Sequence, residues 1–213
     1  LNSSAASDVY KRQGIGLMVT GGIAPNYEGW VGPFAAQLTT EQEMEQHKIV
    51  TSAVHDVHIP IYGSSNEQSI KAKIILQILH TGRYGYHPFV VSAETKKSPI
   101  SPFAPKALTT SGIQKTINDF VNTASLARQA GYDGVEIMGS EGYLLSQFLS
   151  PRTNSEQRMD GYGGESFENR SRFPLELVRA VRKHLGKDFI IIFRISLWEL
   201  VENGMSWTET IML

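Results

Sequence analysis

Apolar residues fall in short unbroken runs that alternate with amphipathic stretches along most of the chain. Residues 16–20 (GLMVT), 74–79 (IILQIL), 135–138 (VEIM) and 189–195 (FIIIFRI) are such runs, and each reads as a strand buried on both faces. Between them the period changes. Thr40 and Glu43 have the spacing of a capping box, and Met44, Val50, Ala53 and Val54 continue as a helical stripe toward His55. Ser111 with Gln114 is expected to cap a second helix, in which Ile113, Ile117, Phe120, Val121, Ala124 and Ala127 share a face before Gly131 stops it. A third helix is expected over 168–185, with Pro174 near its first turns and Gly186 as its stop, and Ser206 with Glu209 opens another capping box.

Strands alternating with amphipathic helices imply a parallel sheet with right-handed crossovers, either doubly wound or closed. The expected fold class is α/β, a partial (β/α)8 TIM barrel of four consecutive strand-helix units. A whole barrel takes about 250 residues, and half of one leaves strand edges and an inner face uncovered, so the chain is expected to be part of a larger barrel. Residues 56–72 exceed the usual connection of about 2 to 6 residues and are expected to be a surface insertion on the face opposite the chemistry. Residues 1–13 have no periodicity, and 8–13 (DVYKRQ) resemble the translation of a transposon sequencing adapter. They are expected to be extraneous, with 14–213 as the barrel segment.

Composition narrows the function. The 213 residues carry a formal charge of −1 with both signs spread along the chain, so nothing electrostatic favours nucleic acid or an anionic membrane as partner, and a small molecule is the expected ligand. With no cysteine, the chain excludes disulfides, thiolate catalysis and cysteine-held zinc or iron-sulfur groups within these residues. No run is long enough for a membrane helix and no signal peptide is visible, which fits a soluble intracellular protein. No phosphate-loop or dinucleotide fingerprint and no metal-ligand cluster is present.

In a barrel, chemistry gathers at the C-terminal ends of the strands. Gly21 and Gly22 end the first strand, either to let a flat cofactor approach the backbone or to make a tight turn. Gln77 is a lone amide in a buried strand, to be satisfied by a heterocycle with adjacent carbonyl and imide groups or by the core itself. Arg194 is a cation in an Ile/Phe strand, and if buried it needs an anion: a reduced flavin, or an acid elsewhere in the protein. Glu141 and Tyr143 directly follow the third strand. Tyr143 can be a general acid if its phenolate is stabilised, or a packed loop tyrosine. His80 and Arg83 end the second strand and either touch a ligand or brace the loop. Asp160, Asn169, Arg170 and Arg172 read as a polar brace around the third strand-helix connection.

Four segments, QILHTGR (77–83), GYDGVEIMGSEGYLLSQFLSPRTN (131–154), DGYGGESFENRSR (160–172) and FIIIFRIS (189–196), resemble successive landmarks of Old Yellow Enzyme-type barrels. MGSEGYL, in place of the histidine-containing HxAHGYL or HGANGYL of simple ene reductases, resembles the bacterial 2,4-dienoyl-CoA reductase branch. The resemblance implies FMN at the barrel mouth, with Gly22 near the ring, Gln77 on the pyrimidine edge and Arg194 beside N1. It implies hydride transfer to the distal end of an enoyl or dienoyl thioester, protonation of the carbon chain by Tyr143, a tuning role for Glu141 and substrate contact by Arg152. NAD(P)H would be the reductant, and full-length members add FAD and a four-iron cluster. Rival readings are another ene reductase or a trimethylamine-dehydrogenase-like enzyme on the same flavin site, and a barrel fragment that binds no flavin.

Overall fold

The computed structural model describes residues 15–60, 69–155, 158–164 and 166–213. Four parallel strands form one curled sheet: β1 (Leu17–Val19), β2 (Lys73–Ile78), β3 (Gly134–Gly139) and β4 (Ile190–Ile195), hydrogen-bonded in that order. Helices α1 (Glu41–His55), α2 (Thr110–Gln129), α3 (Leu144–Leu149), α4 (Phe167–Leu185) and α5 (Trp207–Met212) complete the repeating pattern. Each sheet neighbour is also the next of the four strands in sequence, which is the connectivity of a (β/α)8 barrel over half its circumference. The expected fold class is observed.

The period-two alternation of strands divides the sheet into two unlike faces. Ile74, Leu76, Ile78, Val135 and Ile137 point to the helices and join Ile113, Ile117, Phe120, Phe173, Leu177 and Val181 in the core. The inner face carries Gln77, Glu136, Met138 and Arg194 between aliphatic residues; in register, Gln77 stands beside Glu136 and Met138 beside Arg194. Burial on both faces holds for β2 and β3 but not at the edges of the sheet, where Leu17, Val19 and Ile190 are exposed.

Thr40 caps α1 with a complete capping box, and Ser206 does the same for α5. The cap of α2 differs from expectation. Thr109, not Ser111, accepts from the backbone N–H of Gly112, and Gln114 faces outward to donate to Tyr162 and Glu176. An N-cap hydroxyl needs an extended backbone, which Thr109 has and Ser111, already inside the helix, lacks. Pro174 lies inside α4, buried one turn after Arg170. In the connection before β2, His58–Pro60 pairs antiparallel with Ser69–Lys71, and Ile59 and Ala72 are buried. The rest of that proposed insertion, 61–68, lies outside the described residues, as does the proposed extraneous segment 1–13.

One buried cation ties the α3 region to its neighbours. Arg170, in the first turn of α4, is fully buried, and its Nε donates to the carbonyl of Leu149 at the end of α3 (2.9 Å) and its Nη1 to that of Gly164 (2.9 Å). Its Nη2 pairs with Glu209 of α5. The expected polar brace thus has Arg170 at its centre. Asp160 instead pairs with Arg158, which also binds the carbonyls of Ala93 and Leu108, while Asn169 accepts from Arg172. Arg170→Leu is expected to lower stability by about 3 to 5 kcal/mol in urea denaturation, because it strands a carboxylate and two carbonyls, that of Leu149 buried; Arg170→Lys should recover part of the loss.

Candidate functional site

The C-terminal tips of the strands converge on one end of the sheet. Gln77 is buried on β2, and its Nε2 donates to Glu136 Oε1 on β3 at 2.6 Å. That bond fixes the amide's orientation, since its nitrogen must face the carboxylate. The amide oxygen lies toward Gly22, which follows β1. A side chain at Gly22 would put its Cβ 3.2 Å from Gln77 Oε1 and 2.7 Å from Leu79 Cδ1, so close packing against these residues already calls for glycine there. Gly21 has open space instead.

Arg194, near the end of β4, is not the buried guanidinium expected from its apolar strand. Half of its side chain is exposed because it projects from the inner face of an edge strand, and its Nη2 pairs with Glu141 at 3.2 Å. The acid reaches it through an uncommon backbone. Glu141 has φ +62° and Gly142 follows at +76°, two left-handed residues in succession. Such a conformation costs a non-glycine residue about 1 to 3 kcal/mol. A Cβ on Gly142 would stand 2.4 Å from Tyr84 Oη. The turn aims the Glu141 carboxylate at Arg194 while its N–H donates to Ser196 Oγ (3.0 Å), linking the ends of β3 and β4.

Tyr143 comes next and begins α3 as its N-cap residue. Its ring meets Tyr84 edge-on, with centroids 6.0 Å apart. Burial first, then the Glu141 carboxylate and Tyr84, raise the Tyr143 phenol above its ordinary value. Of the two alternatives, the ring does pack against a loop neighbour, and the surroundings favour the neutral phenol over the phenolate.

Three further residues build this end of the sheet and were not singled out from the sequence. Glu136 is one. Gln147 is another, a fully buried amide in α3 whose Oε1 accepts from the Arg83 N–H and Ser92 Oγ, while its Nε2 donates to the carbonyls of Thr81 and Gly142. The third is Glu199, beyond β4, which accepts from Ser146, Ser150 and the Met205 N–H and so fastens the last loop to α3. The only sequence signals were polar residues within apolar runs, VEIM and LLSQFL. Arg152, the proposed substrate contact, is exposed and donates to the carbonyl of Glu202 (3.0 Å).

His80 is buried and braces the loop: its carbonyl accepts from Leu144 N and its Nδ1 from Gly82 N. Burial, then Lys115 and His87, depress its pKa to about 3. Unfolded, the imidazole titrates near about 6.5. Below that value the unfolded chain takes up a proton that the folded chain refuses, so stability falls with pH through the window from about 6.5 to about 3. In the full-length protein this is expected to amount to about 2 kcal/mol at pH 5. His80→Asn should flatten the dependence of denaturation midpoint on pH, and an unchanged slope would assign it to other groups.

Comparisons with known proteins place the chain in a family. A family model described as the NADH:flavin oxidoreductase / NADH oxidase family matches residues 5–213. An NADH oxidase of Thermoanaerobacter brockii is 36% identical over 206 residues, covering 93% of this chain and 29% of that protein. A putative 12-oxophytodienoate reductase-like protein of Arabidopsis thaliana is 35% identical over 177 residues, covering 77% of this chain and 49% of that protein. Among solved structures, morphinone reductase superposes with a TM-score of 0.75 at 27% identity, over 90% of this chain and 53% of its own. The chain thus spans about half, or less, of the length of these relatives.

Proposed function

The chain belongs to the NADH:flavin oxidoreductase / NADH oxidase family, the Old Yellow Enzyme group that its motifs resemble, and on that premise we propose that the protein it comes from is an FMN-dependent, NAD(P)H-driven reductase of activated C=C bonds. The observation that carries the reading is the convergence of Gln77, Arg194 and Tyr143 at the C-terminal tips of three adjacent parallel strands, with the first two on the inner face of the sheet.

The residues suit an isoalloxazine ring. With Nε2 committed to Glu136, Gln77 offers its amide oxygen as acceptor and its second N–H as donor, which matches a pyrimidine edge of alternating carbonyl and imide groups. Arg194 is half open, so its guanidinium can turn part of its fork to an anionic N1 region while Glu141 holds the rest. Gly22 is proposed to lie near the ring, and neighbouring Gly21, where a Cβ would meet nothing within 4 Å, leaves open space beside it at the end of β1. FMN, when bound, supplies the hydride for the electron-poor carbon. Tyr143 holds the proton for the neighbouring carbon at its phenol oxygen, and Glu141 orients the loop that carries it. Arg152 is proposed to meet the substrate.

The preferred substrate is a 2,4-dienoyl-CoA. Simple ene reductases have a histidine-containing motif where this chain has MGSEGYL, which sets Met138 and Glu141 in those places and leaves the Tyr143 phenol as the donor on this loop. A phenol is a weaker acid than an imidazolium and stays protonated at neutral pH. In the proposed full-length protein, FAD and a four-iron cluster would relay electrons from NAD(P)H.

Tyr143→Phe in the full-length enzyme is expected to lower turnover of a dienoyl thioester by roughly 10² to 10⁴-fold while flavin reduction by NAD(P)H, followed by stopped flow, stays within about twofold. Since the phenol is raised, the alkaline limb of the parent's turnover should lie above about 10; a limb near neutrality, or unchanged turnover in the variant, removes Tyr143 from this role. Arg194→Leu is expected to release FMN during gel filtration or to make the bound flavin harder to reduce. Parental flavin content and potential would confine Arg194 to its pairing with Glu141.

A further inference from the structure

A cavity of about 300 Å3 lies between the loops that follow β2, β3 and β4, against the Glu141 and Gly142 turn, and Arg83, Tyr84, Arg152, Ser196 and Glu199 help to line it. Arg83 is its unusual member. The residue is only 7% exposed, and its Nε has no hydrogen-bond partner among the described residues. Its Nη1 reaches the carbonyl of Lys96 at a long 3.4 Å, and the guanidinium lies over the Tyr84 ring at 5.7 Å. No carboxylate among the described residues pairs with it. A guanidinium so withdrawn from water and left without an anion is strongly unfavourable unless something that enters the cavity completes it.

The carboxylates of this cavity are already committed. Glu199 accepts from Ser146 Oγ, Ser150 Oγ and Met205 N at 3.2, 3.1 and 2.7 Å, and Glu141 is paired with Arg194. On the cationic side, Arg152 makes a bond to the carbonyl of Glu202 and no ion pair among the described residues, and Lys96 Nζ sits on the carbonyl of Arg152 at 2.9 Å. The hydroxyls of Tyr84 and Ser196 border the same space.

We propose that this cavity is an anion subsite in which Arg83, assisted by Arg152, takes a compact oxyanion, a carboxylate or a phosphate. The planar fork of a guanidinium matches both groups. Because Glu141 and Gly142 form part of the wall and Tyr143 follows them, the oxyanion belongs to a molecule that also reaches the proton donor. It is either an acidic group of the reduced substrate or a phosphate of the nicotinamide dinucleotide; this last step rests on the reductase reading, whereas the subsite does not.

Isothermal titration of inorganic phosphate and of acetate into the full-length holoenzyme tests the site directly. Arg83→Gln is expected to raise the phosphate Kd roughly tenfold or more, with Arg83→Lys between it and the parent. Equal Kd values in parent and R83Q overturn the proposal, as does a parent that binds neither anion. Should R83Q fail to fold, Arg152→Gln, at an exposed position, takes its place and has to weaken the same titration by about threefold or more; no change there overturns the proposal. Two kinetic arms separate the sources: KM for a carboxylate-bearing enoate against its neutral amide, and KM for NADPH against NADH. The source is the substrate's acidic group if R83Q raises KM for the enoate and not for its amide, the 2′-phosphate if it raises KM for NADPH alone, and the pyrophosphate if it raises KM for both dinucleotides; movement in none of them overturns the link to both sources. A protein that binds phosphate through Arg83 yet reduces no C=C bond refutes the reductase reading and leaves the subsite standing.

Discussion

Everything at the working end of this molecule depends on the parallel register of β2, β3 and β4. Adjacent strands in a parallel sheet present matched residues on the same face, so a single register places Gln77 against Glu136 and Met138 against Arg194. A slip by one residue would turn Gln77 and Glu136 into the helix-packed core and bring Leu76 and Val135 to the inner face. The hydrophobic faces of α2 and α4 forbid that slip, because Phe120, Phe173 and Leu177 need the aliphatic face of the sheet beneath them. The core thus positions the polar residues without touching them.

Beyond the strand tips the chain is no longer governed by sheet geometry, and buried polar side chains take over. Gln147 satisfies both ends of its amide with four partners drawn from three separate loops, which makes it a rigid joint between the segments around Thr81, Ser92 and Gly142. Arg170 does the same for the end of α3, the loop at Gly164 and α5. Such joints are high-stakes: fully satisfied they hold a loop in one geometry, and with one partner missing they destabilise it. They hold the left-handed turn at Glu141 and Gly142 and, with it, the start of α3 at Tyr143.

The architecture was legible from the sequence because its period changes are sharp. Runs such as IILQIL and FIIIFRI are too short and too apolar for surface helices, and the stripe from Ile113 to Ala127 is too regular for a strand. Strand-tip residues followed from the same pattern, since Gln77 and Arg194 interrupt apolar runs. Less legible was anything decided by contacts distant in sequence. Helix α3 is buried on all sides and so shows no amphipathic stripe. Arg194 reads as buried from its neighbours along the chain and is half open because β4 is an edge of the sheet. Thr109 displaces Ser111 as a cap through backbone conformation, which identity alone does not encode.

Charge placement around Tyr143 shows how the parts act on one another. Alone, Glu141 would push the phenol still further from ionising and would repel an incoming anion. Its pairing with Arg194 supplies an opposite charge a bond's length away, which moderates both effects. The same pair links β3 to β4, so the group that sets the electrostatics is also one that sets the geometry. A change at Arg194 is therefore felt on both sides of the loop, at the inner face of the sheet and at Tyr143. On the far side of Glu141, the wall holding Arg83 retains a positive charge that pairs with no carboxylate among the described residues. Across the width of one short turn the protein passes from a neutral phenol to a guanidinium with no carboxylate partner among the described residues, an asymmetry that suits the proposed binding of a polar, negatively charged molecule end to end.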